Sequence, residues 1–498
     1  MFLALAIQLA ALIGFLNVFA DSFYVFYAVS IVLSVSAVIW ILNDTSNPAY
    51  KIAWIIPIIV FPIFGGLFFL FFGKNRLSRS VKRRMKESAG RVESLTDEGE
   101  QNLARLEALD FDAALQSRYL SSKAGSPLWS NTSTRYLPTG EAAFEAMLGA
   151  LRSAERFIFL EFFIIGEGLM WQAVLDILAE KARLGVDVRV MYDDFGSMGR
   201  LPPRYCRRLE GMGIRCAVFN PLKPILSSNY NHRDHRKILV IDGRVGFTGG
   251  INLADEYINK LERFGHWKDN AIMLEGEAVA SFTRMFLKLW SHARRKDDDS
   301  PLCTLMPDPE RCRRSADGFV QPYEDSPLDE EPVGENVYLN LIGKARRCLY
   351  ITTPYLIIDN EMLMALNLAA KNGLDVRIMT PRIPDKWYVH AVTRANYRAL
   401  VEGGVRIFEY LPGFIHSKTF VADGVCGVVG TINLDFRSLY LHFECGVWLY
   451  GCASLAAMRD DFLATQELCE EVTLADLDKL GLHRKAAGWL LKIFSPLL

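Results

Sequence analysis

Two stretches of this chain nearly copy each other: "GVDVRVM" at 185–191 and "GLDVRIM" at 373–379. Each occupies the same place in a repeated order of elements. Glu141 to Ala154 has helical periodicity and Arg156 to Ile165 reads as a buried strand; Trp171 to Leu184 is helical and Val186 to Tyr192 is a strand. The order recurs as a helix from Gly334 to Ala345, a strand from Cys348 to Leu356, a helix from Asp359 to Asn372 and a strand from Leu374 to Met379. The copied unit is far longer than a solenoid repeat, so a whole domain is duplicated. Alternating helices and strands predict a mixed or parallel sheet covered by helices in each copy, an α/β fold. The Pro- and Asp-rich stretch from Lys296 to Pro332 separates the halves. The expected domains are 134–300 and 316–470.

Each copy closes with one constellation. "HRKILVIDGRVGFTGGIN" sets His235, Lys237, Asp242, Gly249 and Asn252; "HSKTFVADGVCGVVGTIN" sets His416, Lys418, Asp423, Gly430 and Asn433. The spacings His-x-Lys-x4-Asp and Asp-x6-Gly-x2-Asn are identical. On a strand, residues two apart share a face, so each His and Lys point together. The glycine turn lets the backbone pass close, and the Asn after it reaches back to the same pocket. Two copies about a pseudo-twofold axis bring two His and two Lys to one place. Two ammonium groups and two amide donors suit the equatorial oxygens of a phosphoryl group. Two imidazoles supply a nucleophile and a general acid. Imidazoles flanked by lysines make poor cation ligands, so no metal is expected. A single copy fits a solvated His–Lys pair on an edge strand equally well. Two matched copies, in a chain with eight His, do not.

The apolar excess (51% of residues) is local. Phe2 to Leu16, Phe23 to Leu42 and Ile52 to Phe72 carry no charge. A helix needs about 20 apolar residues to cross the hydrocarbon core. The second and third stretches meet that length, and the shorter first one reads as a third span, since it lacks the basic start of a signal peptide. The expectation is a transmembrane anchor of two or three helices over 1–73. Lys74, Arg76, Arg79, Lys82, Arg83, Arg84 and Lys86 follow at once; such a cluster stays cytoplasmic and lies against anionic headgroups. The domains beyond it are then cytoplasmic. Glu87 to Ala124 reads as a helical linker, which makes 74–133 a basic flank plus linker. At the far end, 471–498 holds an amphipathic helix, Ala486 to Phe494, suited to the membrane interface or to capping the core. The formal charge of −1 excludes a globally basic nucleic-acid binder. The nine cysteines are scattered without a C-x-x-C pair, which argues against a disulfide framework and a zinc site.

Over roughly residues 134–470 the doubled motif resembles the phospholipase D superfamily. The chain is further similar to bacterial cardiolipin synthases in "NPAYKIAWIIPIIVFPIFGGLFFLFFGKNR" (47–76), "NHRDHRKILVIDG" (231–243), "GGINLADEY" (249–257), "TTPYLIIDNEM" (352–362), "GTINLDFRSLYLHFE" (430–444) and "SPLL" (495–498). The resemblance implies two tandem phospholipase D-like αβ domains with pseudo-twofold symmetry, preceded by transmembrane helices. It implies a multi-pass enzyme of the bacterial plasma membrane that takes phosphatidylglycerol as its partner and needs no cofactor. The phosphatidyl group passes from one phosphatidylglycerol to another through a phosphohistidine, and glycerol leaves. The alternative within the superfamily is a phospholipid hydrolase, with water as acceptor. A non-catalytic scaffold has no need of all six motif His, Lys and Asp residues.

By the same resemblance His235 is the nucleophile and His416 the acid, then the base, although the two roles are exchangeable at this level. Lys237, Lys418, Asn252 and Asn433 hold phosphoryl oxygens, and Asp242 and Asp423 tie the motif loops. Glu444 and Asp269 fix the imidazole tautomers, and a carboxylate there raises the pKa of its His. The chain departs from the family pattern at Asp234 and His442, where Asn is expected, and at Thr431, where Ser is expected. Oligomeric state is left open by the sequence.

Overall fold

The structure is a computed structural model, and it describes residues 14, 23–61, 65–66, 69, 97–222, 231–294, 318–328, 331–479 and 481–497. The first apolar stretch apart from Gly14, the basic flank and most of the polar stretch between the halves lie outside the described residues.

The first sheet comprises β1 (Thr132–Leu137), β2 (Phe157–Phe162), β3 (Asp187–Asp193), β4 (Arg215–Phe219), β5 (Lys237–Ile241), β6 (Val245–Gly249) and β8 (Ala271–Gly276), with β7 (His266–Lys268) apart from it. Its strand order is β1-β8-β6-β5-β2-β3-β4. The second half supplies β9 (Phe319–Asp325), β10 (Cys348–Thr352), β11 (Asp375–Pro381), β12 (Arg406–Tyr410), β13 (Gly413–Ile415), β14 (Thr419–Ala422), β15 (Cys426–Gly430), β16 (Glu444–Tyr450) and β17 (Cys469–Glu471). Its order, β17-β12-β11-β10-β14-β15-β16-β9, repeats the first with one strand added at the edge. In both sheets a parallel trio joins an antiparallel hairpin: β2 pairs parallel with β3 and antiparallel with β5, and β10 does the same with β11 and β14. The copied heptapeptides run into the equivalent strands β3 and β11.

The all-buried runs β2 and β5 are sandwiched on both faces, which explains their unbroken hydrophobicity. The inner faces of the two sheets meet. Ile238, Val240 and Ile272 of the first half share one apolar cluster with Val421, Val429 and Val447 of the second. Burying each such side chain contributes about 1.5–3 kcal/mol, so this shared core holds the halves in register. Charged side chains enter it only in company. Glu161, fully buried in β2, accepts from Arg236 Nε at 2.6 Å, and Arg236 also reaches Glu324 at 3.1 Å.

Helices Asp97–Leu109 and Phe111–Lys123 do more than link. Leu106, Ala114 and Leu120 belong to the core of the second half, and Gln116 accepts from Trp448 Nε1 at 3.0 Å. Their Leu/Ala pattern is therefore a core-facing stripe. The C-terminal helix, Leu482–Ile493, packs on helix Trp387–Glu402 and leaves Trp489 and Leu490 exposed.

Helix Phe23–Asn43 has 21 residues and no charge, with its side chains described continuously only from Tyr27 onward. Among the described residues no helix is long and apolar enough to cross a membrane. The third apolar stretch departs from the expected single span. Helix Pro48–Val60 stops at Phe61 (φ −125°, ψ 71°). Phe61 precedes Pro62, and a residue before proline is pushed out of the α region. The chain then doubles back: a Cβ on Gly65 would lie 2.5 Å from Ile58 Cα, and the Phe69 ring is 5.4 Å from that of Trp54.

Candidate active site

Asp242 and Asp423 turn the two hairpins that carry the motifs. Both adopt left-handed backbone, φ 53° and 57°, a conformation Asp tolerates better than most residues. Asp242 accepts from the backbone N–H groups of Glu155, Arg156 and Phe157 at 2.7–2.9 Å. Asp423 does the same for Arg346, Arg347 and Cys348 at 2.8–2.9 Å. Each carboxylate thus ties its hairpin to the start of β2 or β10. These are positioning contacts, and they aim the other end of the hairpin, where the His and Lys lie.

There the two halves exchange partners. His235 N–H donates to Phe443 O at 2.9 Å, and His416 N–H donates to Lys268 O at 2.7 Å. Phe443 and Lys268 each precede a buried carboxylate, Glu444 and Asp269. His235 Nδ1 lies 2.9 Å from Glu444 Oε1, and His416 Nδ1 lies 2.8 Å from Asp269 Oδ2. Each imidazole is therefore held by an acid from the opposite domain. A carboxylate only accepts, so Nδ1 carries the hydrogen, and Nε2 of neutral imidazole keeps its lone pair for chemistry.

Lys237 and Lys418 are buried, and each donates back to the carbonyl of its own motif His. Asn252 receives Ile164 N–H on Oδ1 at 3.0 Å and donates one Nδ2 hydrogen to Tyr257 Oη at 2.8 Å. Asn433 donates to Ser438 Oγ at 3.1 Å, and its Oδ1 has no partner. Both amides keep a second Nδ2 hydrogen for a ligand. Aromatic rings wall the site: Phe163 lies 5.0 Å from the His235 ring, and Trp267 lies 5.4 Å from that of His416.

Burial pushes His235 well below the ordinary imidazole range, and Lys237, Lys418 and His416 press the same way. His416 falls to about 4, through burial first and then Lys418, with Asp269 pulling upward against them. The expected rise from a neighbouring carboxylate is thus outweighed, because burial and two ammonium groups act together. Burial also lowers Lys237 to about 8 and Lys418 to about 7, against the opposing pull of Asp269 and Glu444. Each lysine acts on both imidazoles. The two motifs therefore share one electrostatic site.

Sequence reasoning gave no role to three contributors. Thr431 donates its hydroxyl to Glu444 Oε2, so the Thr keeps the hydroxyl that a Ser would bring. Gly250 leaves room for the other acid: a Cβ there would lie 2.0 Å from Asp269 Oδ1. Asp234 sits fully buried beside the Glu161–Arg236 pair, 3.5 Å from Arg236 Nε. Gly250 left its signal as the second glycine of "GGIN", and Asp234 and Thr431 as departures from the family pattern. His442 brings its Nδ1 to 3.7 Å from Glu444 and its ring to 5.6 Å from that of His235. His235, His442 and Glu444 form a cluster of ligand type, but the adjoining ammonium groups favour an anion.

The family profile described as "Cardiolipin synthase, PLD-like domain" matches residues 147–290 and 338–465, and that described as "Phospholipase_D-nuclease N-terminal" matches 32–74. An uncharacterised protein of Streptococcus mutans is 45% identical, over 93% of this chain and all of that one. The cardiolipin synthase of Halalkalibacterium halodurans is 32% identical, over 95% of this chain and 94% of its own. Among solved structures, the phosphatidylserine synthase of Haemophilus influenzae shares the fold, with a TM-score of 0.58 at 15% identity, covering 77% of this chain and 97% of that one. With paired phospholipase D-like domains matched over more than half its length and full-length relatives above 30% identity, the chain belongs to the cardiolipin synthase family.

Proposed function

We infer that this protein is a phosphatidyltransferase that makes cardiolipin from two molecules of phosphatidylglycerol. The observation that carries the reading is the crossed pair: two imidazoles, each held through Nδ1 by an acid of the other domain, with two buried lysines acting on both. A phosphodiester is the anion that such a site accommodates, and its charge offsets the penalty of burying two ammonium groups.

Neutral His235 attacks phosphorus through Nε2, and the bond from phosphorus to the headgroup glycerol oxygen breaks. His416, protonated once the phosphate anion has entered, gives its Nε2 proton to that oxygen, and glycerol leaves. The upward pull of Asp269 on its imidazole supports His416 as the acid, which leaves His235 as the nucleophile. The hydroxyl of a second phosphatidylglycerol then loses its proton to His416 and attacks phosphorus. The P–N bond breaks and His235 is restored. Lys237, Lys418 and the spare amide hydrogens of Asn252 and Asn433 hold the phosphoryl oxygens throughout. The diester bond energy is kept in the phosphohistidine, so no step calls for a nucleotide.

Both substrates reside in a bilayer, so the reading places the protein at the bacterial plasma membrane. The apolar N-terminal helices anchor it, and the domains 134–300 and 316–470 lie on the cytoplasmic face. Purified protein given phosphatidylglycerol alone, without CDP-diacylglycerol, is expected to form cardiolipin and free glycerol in equal amounts. Phosphatidic acid as the main product rejects the transferase in favour of a hydrolase.

A further inference from the structure

Two uncharged stretches in succession, 23–43 and 52–72, read as two membrane crossings, and that reading puts the polar turn between them across the bilayer from the catalytic body. The structure has that turn on the body. Asn47 Nδ2 donates to Asp359 Oδ2 at 2.9 Å and to Tyr440 Oη at 3.0 Å, while Asn47 Oδ1 accepts from Ala49 N–H. We propose that helix Pro48–Val60, with Gly65 and Phe69 packed back against it, is a re-entrant hairpin seated in one leaflet of a lipid bilayer. The turn at 44–47 and the catalytic body then share one face.

Length is the first argument. Pro48–Val60 has 13 residues, about 20 Å of helix at 1.5 Å per residue, against a core of about 30 Å. The second is the reversal. In a straight helix residues 54 and 69 stand more than ~20 Å apart, yet Trp54 and Phe69 are in ring contact and Phe69 also meets Trp40 at 5.6 Å. Gly65 permits the bend, since its Cα hydrogen faces the backbone of Pro57 and Ile58 where no side chain fits. Trp40, Ile41 and Phe69 line a cavity of about 710 Å³ together with Asp359 and Tyr440, so the hairpin's returning end reaches the catalytic body as well.

The occupant around the tip is lipid, for two reasons. Ile59, Val60 and Phe61 at the tip are each 60% exposed or more, as are Val25 and Val32 on the neighbouring helix, and this apolar surface carries no charge. The described backbone on either side of the bend is also satisfied internally, Phe61 N–H by Pro57 O and Gly65 N–H by Phe61 O, as hydrocarbon demands.

The inference stands apart from the reaction, and its test needs no turnover. Thr45 is exposed. In the full chain bearing Thr45→Cys, a membrane-impermeant maleimide is expected to leave position 45 unlabelled in intact cells and to label it once the cells are permeabilised. Labelling in intact cells overturns the hairpin. The double variant Asn47→Cys, Asp359→Cys decides any case in which position 45 stays unlabelled throughout. A short bismaleimide is expected to join the two positions in permeabilised membranes, and failure to do so overturns the proposal equally.

Discussion

The two halves of the site use the same parts in unequal surroundings. His416 is held by a short acid, Asp269, which also accepts Asn270 N–H at 2.9 Å and stands in the space left by Gly250. His235 is held by a longer acid, Glu444, which takes the Thr431 hydroxyl at the position equivalent to Gly250. Burial opposes ionisation of Asp269, but His416 outweighs it and holds that carboxyl below the usual range. The first acid is therefore reserved for its imidazole, whereas the second divides itself between imidazole and hydroxyl. Duplication supplied two equal histidines; the turn residue beside each acid made them different.

Removing the imidazoles tests that difference most severely. His235→Ala is expected to lower kcat by about 10⁴-fold or more and to abolish the covalent lipid–enzyme intermediate, since it deletes the proposed nucleophile. His416→Ala is expected to cost roughly 10²–10⁴-fold while a phosphatidyl-enzyme accumulates when the substrate carries a leaving group that needs no acid. Rapid quench with a lipid labelled in the acyl chain reads both. Label trapped by His235→Ala and none by His416→Ala would exchange the roles.

Swapping the turn residues comes next. Gly250→Thr drives a Cβ into Asp269 Oδ1 and to 2.8 Å from His416 O. The expected loss is roughly 10–100-fold in kcat, the scale of losing an orienting partner, and Asp269→Asn should match it. Thr431→Gly removes one donor from Glu444 and leaves space, so a loss of less than about tenfold is expected, equivalent to roughly 1 kcal/mol for one hydrogen bond. Equal losses from the two swaps would mean that the halves are interchangeable after all.

Most of the fold was legible because the chain states it twice. The strand read at 186–192 is observed as Asp187–Asp193, and that at 374–379 as Asp375–Pro381. The motif His, Lys and Asp residues were legible for the same reason, and Glu444 and Asp269 only through family resemblance. Nothing local marks an acid that acts 209 residues from its imidazole. The sign of the imidazole shift was illegible, since it depends on how completely the sheets exclude water. The third apolar stretch shows that hydropathy counts residues and not direction: helix Pro48–Val60 contains Pro57 and stops at Phe61, and composition averages such breaks away. The helices at 97–123 look like a linker for a related reason, since their partner core lies more than 200 residues downstream.

A smaller effect separates charge from packing. Lys418 has a folded pKa of about 7 against an ordinary 10.5. Between those values the unfolded chain binds the extra proton, so stability climbs as pH rises from 7 toward 10.5, and the destabilisation is fully present below 7. Lys418→Met is expected to abolish turnover yet raise the Tm measured at pH 6.5, by roughly 2–4 °C per kcal/mol relieved. In the native enzyme kcat/KM should fall as pH rises through 7 to 8, where the ammonium groups proposed to bind phosphate are lost. An unchanged or lowered Tm for Lys418→Met would show that the ammonium is not desolvated.

The mildest change acts behind the dyad. His442 occupies a place where the family pattern has Asn, and neither of its ring nitrogens makes a hydrogen bond. Burial lowers it to about 3, so it is neutral whenever the enzyme works, and 3.7 Å to Glu444 is too long for a hydrogen bond. Glu444 pulls it upward but burial outweighs that pull, so the neutral ring leaves Glu444 to His235. His442→Asn offers an amide N–H to Glu444 at little change in bulk. That donor would draw the second acid toward the divided state it already has with Thr431, so kcat is expected to stay within about threefold of native and stability to rise by about 1 kcal/mol at most. A loss beyond tenfold would instead mean that the ring itself steers His235, and would make the asymmetry of the halves a matter of three imidazoles instead of two.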